Sequence, residues 1–274
     1  MISLDAEVIR QSLGETVIVR LAGFDVFPEI DSTNSYLMQS PGPAPGDVHI
    51  AVTDNQTNGR GRHGRTWLSP PGSGLCLSLA YTFAQQPNNL PALTLAFGLG
   101  VIDVLENLGV NGVQLKWPND LIADDGKLGG ILTETQLQTE GAIKVVTGIG
   151  LNVDLQDDLD FGIETDWARR VVDLSGIADD LPSHDELAAG LIDGLCATFI
   201  DYESKGFAGF ESEWSGRDWL YGREVTIDTP ERQVTGIGAG IADDGALLLD
   251  TGKGECSRIT SGSVVMADMR GPGR

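Results

Sequence analysis

Apolar residues along this chain follow two rhythms. Leu93, Phe97, Val101, Val104, Leu105 and Leu108 recur three or four positions apart and stop before Gly109. That spacing places one apolar stripe along a helix over 93–108, which the glycine ends. A second helix is predicted over 184–205 and a shorter one over roughly 167–174. The other rhythm is the short apolar run of a strand, at 24–27, 48–52, 75–81, 113–117, 130–134 and 143–150. Asp124-Asp125-Gly126 is hairpin material, so 113–117 and 130–134 are predicted to be adjacent strands joined there. Asp31-Ser32-Thr33-Asn34 opens a further helix through Tyr36 and Leu37, because serine and threonine hydroxyls cap the first free amides of a helix.

Past Trp214 the texture changes. Segments 225–227, 233–237, 247–250 and 264–266 are short β runs separated by Gly and Asp turns. Such spacing suits a small barrel of about 50 residues. The boundary is placed within 215–222, giving a larger unit over 1–217 and a small one over 218–274.

Composition narrows the classes of function. With 274 residues, 41% of them hydrophobic, the chain can bury a substantial core. It contains no run of about 18 apolar residues, so no membrane span is expected. The first 20 residues lack a signal-peptide core, which points to the cytoplasm. Cys76, Cys196 and Cys256 are odd in number and lack metal-ligand spacing, and are read as reduced thiols. Forty acidic residues against 18 basic give a net charge of −22. Acidic clusters at Asp157-Asp158-Leu159-Asp160, Asp179-Asp180 and Asp243-Asp244 resemble the surface of a halophile protein, where concentrated salt screens self-repulsion. Nucleic acids and anionic membranes are not expected partners, since both are bound by cations.

Against that acidic background one segment stands out: Gly59-Arg60-Gly61-Arg62-His63-Gly64-Arg65-Thr66-Trp67. Guanidinium forks match carboxylate and phosphate oxygens, and glycines let backbone approach a ligand. Gly59, Gly64, Arg65 and Thr66 imitate the spacing of a phosphate-binding P-loop, but with arginine where lysine belongs. The plain alternative is a surface hairpin with solvated arginines. Three arginines together favour an anion site, with His63 as an exposed spacer.

Lys116-Trp117-Pro118-Asn119-Asp120 and Lys127-Leu128-Gly129-Gly130-Ile131 hold two of the chain's five lysines. Pro-Asn-Asp is good turn material. It also offers Asn119 to a ligand's polar edge and Asp120 to a metal or hydroxyl, while a glycine pair inside a strand invites close approach of a ligand. Gly148-Ile149-Gly150-Leu151-Asn152-Val153 reads equally as a bulge or as part of a site. The histidines, at 49, 63 and 184, form no recognisable nucleophilic triad. The chemistry is therefore expected to rest on positioning and electrostatics.

In order and content these motifs, from Ser32-Thr33-Asn34 and Gln56 onward, resemble those of biotin–protein ligases (biotin–[acetyl-CoA-carboxylase] ligases). Gly245-Ala246-Leu247-Leu248-Leu249 and Ser261-Gly262-Ser263-Val264 match the family's small C-terminal module. The resemblance implies an α+β fold: a mixed β-sheet flanked by helices, class II aminoacyl-tRNA synthetase-like, followed by an SH3-like barrel. The 1–217 unit would be catalytic. It implies that biotin is activated by ATP with Mg²⁺ as biotinyl-5′-AMP, then passed to one lysine of a biotin carboxyl carrier domain. Ser32, Thr33, Asn34 and Gln56 would hold the ureido ring, with Gly59, Gly61, Gly129 and Gly130 along biotin. Arg60, Arg62 and Lys127 would be catalytic on the carboxylate and phosphate. Arg65, Trp67, Lys116, Asn119, Asp120 and Asn152 would meet the nucleotide, with Asp120 also near the metal. Trp167 is the candidate for stacking on adenine. The short stretch before the first matching strand predicts a monofunctional enzyme without a DNA-binding domain. The oligomeric state, monomer or homodimer, is left open. A lipoate or octanoate ligase or transferase of the same fold, or a non-catalytic biotin sensor, is the alternative.

Overall fold

A computed structural model describes residues 4–155, 171–252 and 254–267. Two short helices, α1 (Ala6–Ser12) and α2 (Glu15–Ile18), precede strand β1 (Leu21–Phe27) and helix α3 (Thr33–Gln39). Then come β2 (Val48–Thr53), β3 (Gln56–Arg60), β4 (Thr66–Ser69), β5 (Gly74–Phe83) and α4 (Leu93–Asn107). Strands β6 (Gln114–Lys116), β7 (Asp120–Ala123), β8 (Gly126–Leu137) and β9 (Ile143–Asn152) lead to α5 (His184–Lys205) and α6 (Glu211–Trp214). The chain closes with β10 (Glu224–Asp228), β11 (Gln233–Ile241), β12 (Leu247–Asp250), β13 (Ser257–Ile259) and β14 (Ser263–Ala267).

Seven strands form one sheet in the order β1-β2-β5-β9-β8-β7-β6. Only β1–β2 is parallel; the other neighbours are antiparallel, so the sheet is mixed, as the resemblance implied. Alternation of side chains across a strand explains its two covers. Val48, Ile50 and Val52 of β2, with Leu75, Leu77, Leu79, Tyr81 and Phe83 of β5, join the core that contains the buried residues of α4 and α5. Phe199 of α5 stacks on Tyr81 at 4.7 Å and meets Phe97 of α4 edge-on. Ala51 and Ala80, on the opposite face, pack with Leu37 of α3. The stretch 90–107 is apolar enough to cross a membrane, yet α4 is a core helix, with eleven of its residues buried.

The predicted pairing of 113–117 with 130–134 is not formed. β7 lies between them: it pairs with β6 on one side and, through the Asp124-Asp125 turn, with β8 on the other. Residues 121–123, to which the sequence pattern assigns no element between the Pro118-Asn119-Asp120 and Asp124-Asp125-Gly126 turns, are with Asp120 a buried strand. Part of the predicted helix at 167–174, with Trp167, lies outside the described residues. Its described end is not helical: Val171 forms a bridge to Lys127, and Leu174–Gly176 is a single 3-10 turn.

Beyond the boundary, an antiparallel five-stranded sheet runs β13-β12-β11-β10-β14. It is fastened to the larger unit. Leu115 of β6 exchanges backbone hydrogen bonds with Arg217 and Trp219. Trp117 Nε1 donates to Gly245 O at 3.0 Å, and Trp219 Nε1 to Asp125 Oδ1 at 2.9 Å. These contacts bring the loop before β14 beside the larger unit's main cavity.

Candidate active site

The cavity opens on the α3 face of the sheet. Its floor is a row of small residues, Ser78, Gly130, Gly148 and Gly150, from β5, β8 and β9. Gly130 pairs with Gly150 in register, which clears a slot across adjacent strands. The slot is needed: a Cβ at Gly150 would fall inside the Trp67 indole, and one at Gly148 would overlap the Asn34 amide. The walls come from the start of α3, the β3–β4 hairpin and the β6–β7 turn, and Gly262, Ser263 and Val264 of the small sheet add to the rim.

One end is built of neutral polar groups. Ser32 caps α3 by accepting from Ser35 N. Thr33 N donates to Gln56 Oε1 at 2.9 Å, and Thr33 Oγ1 lies 2.7 Å from Ser78 Oγ. Ser78 Oγ donates to Asn34 Oδ1 at 2.6 Å, and Asn34 Nδ2 donates to Leu132 O and Glu134 Oε2. The Asn34 amide is thus committed to the protein, and the ligand-facing groups are its neighbours.

The other end is cationic. Asp120 binds Lys127 Nζ with one oxygen at 2.7 Å and Lys116 Nζ with the other at 2.9 Å. Burial alone would raise the Asp120 carboxyl, but the ammoniums of Lys127 and Lys116 reverse this and hold it well below the usual carboxylate range. Burial pushes Lys116 down to about 8, against the pull of Asp120. The carboxylate between them offsets the repulsion of two ammoniums on one wall, although Lys127 still helps to lower Lys116. Arg62, whose ionisation burial also lowers, donates to Asn119 Oδ1 at 3.3 Å above them. Lys127 Nζ stands 5.7 Å from the Trp67 ring centroid, a cation–π distance.

The structure therefore gathers Ser32, Thr33, Asn34, Gln56, Arg60, Gly61, Arg62, Arg65, Trp67, Lys116, Asn119, Asp120, Lys127 and Gly130 around one cavity. Exposed His63 is on its wall, in left-handed backbone, as a spacer would be. Three predicted residues are not on the wall. A Cβ at Gly59 would strike Trp67 O, so this glycine serves hairpin closure. At Gly129 it would strike Gly150 O, on the side of the strand away from the slot. Asn152 Nδ2 donates to Lys127 O and Val172 O, tying β8 to the following segment. The metal assignment of Asp120 also needs correction. Both its oxygens are occupied by ammoniums, and among the described residues no three His, Cys, Asp or Glu side chains converge. This site does not fit a protein-held Mg²⁺.

Sequence reasoning missed Ser78, Glu134 and the 262–264 rim. A serine in the middle of the apolar run Leu75–Tyr81 was the available signal for the first. The rim depends on how the small sheet docks, which no local pattern reveals.

Comparisons with known proteins agree with this geometry. Residues 26–153 match the Biotin/lipoate A/B protein ligase family, and residues 220–266 match the Biotin protein ligase C terminal domain. The chain is 38% identical over 226 residues to the bifunctional ligase/repressor BirA of Escherichia coli K12, covering 82% of this chain and 68% of that one. It is 33% identical over 247 residues to the biotin–[acetyl-CoA-carboxylase] ligase of Mycobacterium tuberculosis, covering 88% of each. The Aquifex aeolicus biotin protein ligase, solved with biotin and ATP, superposes with a TM-score of 0.72 at 28% identity, covering 89% of this chain and 97% of that one. A cavity with a neutral polar end and a cationic end, in a chain so related, identifies this protein as a member of the biotin/lipoate protein ligase family and, within it, as an ATP-dependent biotin–protein ligase.

Proposed function

We propose that the two ends of the cavity divide the reaction between them. The Thr33, Ser78 and Gln56 end takes the ureido ring of biotin, whose N–H and C=O groups need neutral partners. Trp67, seated on Gly150, gives the cavity an apolar surface against which the apolar body packs. Biotin's carboxylate then lies toward Lys127, Lys116 and Arg62. The observation that carries this reading is the Lys116–Asp120–Lys127 trio, which faces the cavity with a net positive charge.

The first step forms a bond between a biotin carboxylate oxygen and the α-phosphorus of ATP, and the bond to the pyrophosphate oxygen breaks. Two anions must approach against a repulsion of about 4 kcal/mol for unit charges at 4 Å and an effective dielectric near 20. Lys127 and Arg62 offset that repulsion and stabilise charge on the equatorial oxygens of the transition state. Arg65 receives the pyrophosphate side, and Asn119 the adenosine. Mg²⁺ would be carried by the ATP phosphates and water, which are oxygen ligands of the kind it prefers, and would neutralise phosphate charge there; no side chain of this chain is assigned to hold it. In the second step a lysine amine of a biotin carboxyl carrier domain attacks the acyl carbonyl, AMP leaves, and the amine loses a proton. Three free cysteines suit a reducing cytoplasm as the setting, and the excess of acidic residues disfavours nucleic acid as a partner.

Pyrophosphate release on mixing protein, biotin and MgATP tests the first step, and transfer to a carrier domain tests the second. Thermal stabilisation by lipoate but not by biotin would overturn the assignment of the ring end.

A further inference from the structure

Arg60 and Arg62 are two positions apart but face different partners. Arg62 reaches Asn119 within the cationic end. Arg60 is held by a carboxylate: its Nη2 donates to Glu134 Oε1 at 2.6 Å and its Nη1 to Glu134 Oε2 at 3.1 Å. Arg60 Nη1 also donates to Ser35 Oγ at 3.2 Å. A guanidinium paired two-to-two with a carboxylate has its in-plane fork spent, and is poorly placed to bind a second anion.

Glu134 is on β8, on the same side of the strand as Gly130 and Leu132, which line the cavity. Its Oε2 also accepts from Asn34 Nδ2 at 3.1 Å. From there a hydrogen-bonded chain runs through Asn34 Oδ1 to Ser78 Oγ and on to Thr33 Oγ1. The chain connects the neutral end of the cavity to the arginine hairpin. Arg60 is also the hinge point of that hairpin: it pairs with Thr66, and Gly61 N donates to Arg65 O at 2.7 Å just beyond. Pinning Arg60 therefore pins the base of the turn that carries Arg62 and Arg65.

We infer that Glu134 is a positioning residue that latches the arginine hairpin onto the sheet through Arg60, so that Arg62 stays over the carboxylate–phosphate junction. Arg60 is the bolt of this latch and not an anion ligand. Asn34 and Ser78 connect this latch by hydrogen bonds to the neutral end of the cavity. The inference rests on the assignment of the two cavity ends made above.

The test uses E134Q, R60Q and the double variant R60Q/E134Q in the full chain. Glutamine at 134 keeps an acceptor for Asn34 but removes the charge that holds Arg60. Backbone amide exchange over 59–67 in the ligand-free protein reads the latch directly, whatever the substrate. With biotin and MgATP but no acceptor, turnover is limited by escape of biotinyl-AMP. Steady-state pyrophosphate production should then rise about fivefold in E134Q, the scale of losing one well-formed surface ion pair. General structural damage would lower it. The double variant should match either single variant, because the pair acts as one unit. Wild-type exchange over 59–67 in E134Q, a fall in acceptor-free pyrophosphate production, or additive effects in the double variant would overturn the latch. Absence of pyrophosphate from the wild-type chain would instead overturn the functional reading, and amide exchange would still decide the latch.

Discussion

Gly150 lies directly beneath the indole of Trp67, so closely that any Cβ at 150 would enter the ring. The glycine is what allows the tryptophan to lie against the sheet and line the cavity. Gly150→Ala forces Trp67 off the sheet and narrows the space for biotin's ring system. Overpacking of this kind costs about 1–3 kcal/mol. Biotin affinity by calorimetry should fall at least about tenfold, with the fold retained by circular dichroism. Unaltered affinity would show that Trp67 is not part of the slot.

Lys127 contacts Asp120 from the open side of the trio, and Lys116 from the buried side. Lys127→Ala leaves Asp120 with its Lys116 partner, so the fold should be little affected. Removing one fixed cation from a phosphoryl-transfer site typically costs about 10²–10³ in rate. Pre-steady-state pyrophosphate release should drop by that order, and a wild-type rate would remove Lys127 from the chemistry.

Arg62 is mostly enclosed and bonded to Asn119, over the reactive end. Arg62→Ala should let biotinyl-AMP escape at least about tenfold faster, corresponding to roughly 1.4 kcal/mol of lost retention. The released anhydride should label bystander lysines indiscriminately, which mass spectrometry of an added unrelated protein would detect. An unchanged intermediate half-life would contradict the clamp.

Asp218 sits where the two units join, accepting from Leu220 N and Trp214 Nε1. Burial pushes its carboxyl up to about 6, against the pull of those hydrogen bonds. Between about pH 4 and that value the folded state binds more protons at this site than the unfolded state, so stability falls as pH rises. The shift corresponds to roughly 2–3 kcal/mol. Asp218→Asn keeps one acceptor oxygen in place of two, so it should lose one of these bonds at every pH but flatten this slope. Melting temperatures of both proteins across the window test it, and parallel curves would refute it.

The net charge of −22 is spread over one small chain. Added salt screens like-charge repulsion within about a Debye length. Raising KCl from tens of millimolar to molar should increase the melting temperature, and a flat or falling response would count against adaptation to concentrated salt.

Much of the architecture was written locally. The three-to-four spacing of Leu93 through Leu108 and the strand runs at 48–52, 75–81 and 143–150 predicted elements that formed, because burial of an apolar stripe or face is read from nearest neighbours. The arginine-glycine segment and Lys116-Trp117-Pro118-Asn119-Asp120 likewise announced cationic chemistry in an acidic chain, and their order pointed to the ligase family. Residues 120–123 gave no strand signal, since a four-residue buried strand has no periodicity to set it apart from the turns on either side.

Local pattern thus named the side chains on hand and the elements that carry them. How each is used follows from the packing of strands far apart in the chain. Arg60 and Glu134 are 74 positions apart, yet their pairing turns an apparent anion ligand into a latch. Strand register sends Gly130 to the slot and Gly129 to the neighbouring backbone. Asp120 meets two lysines because the β6–β7–β8 meander brings them to one wall, and this makes it a counter-charge and not a metal ligand. A charged group's role is set by its partner in space, and partners this distant are chosen by strand order and register, which no local pattern encodes.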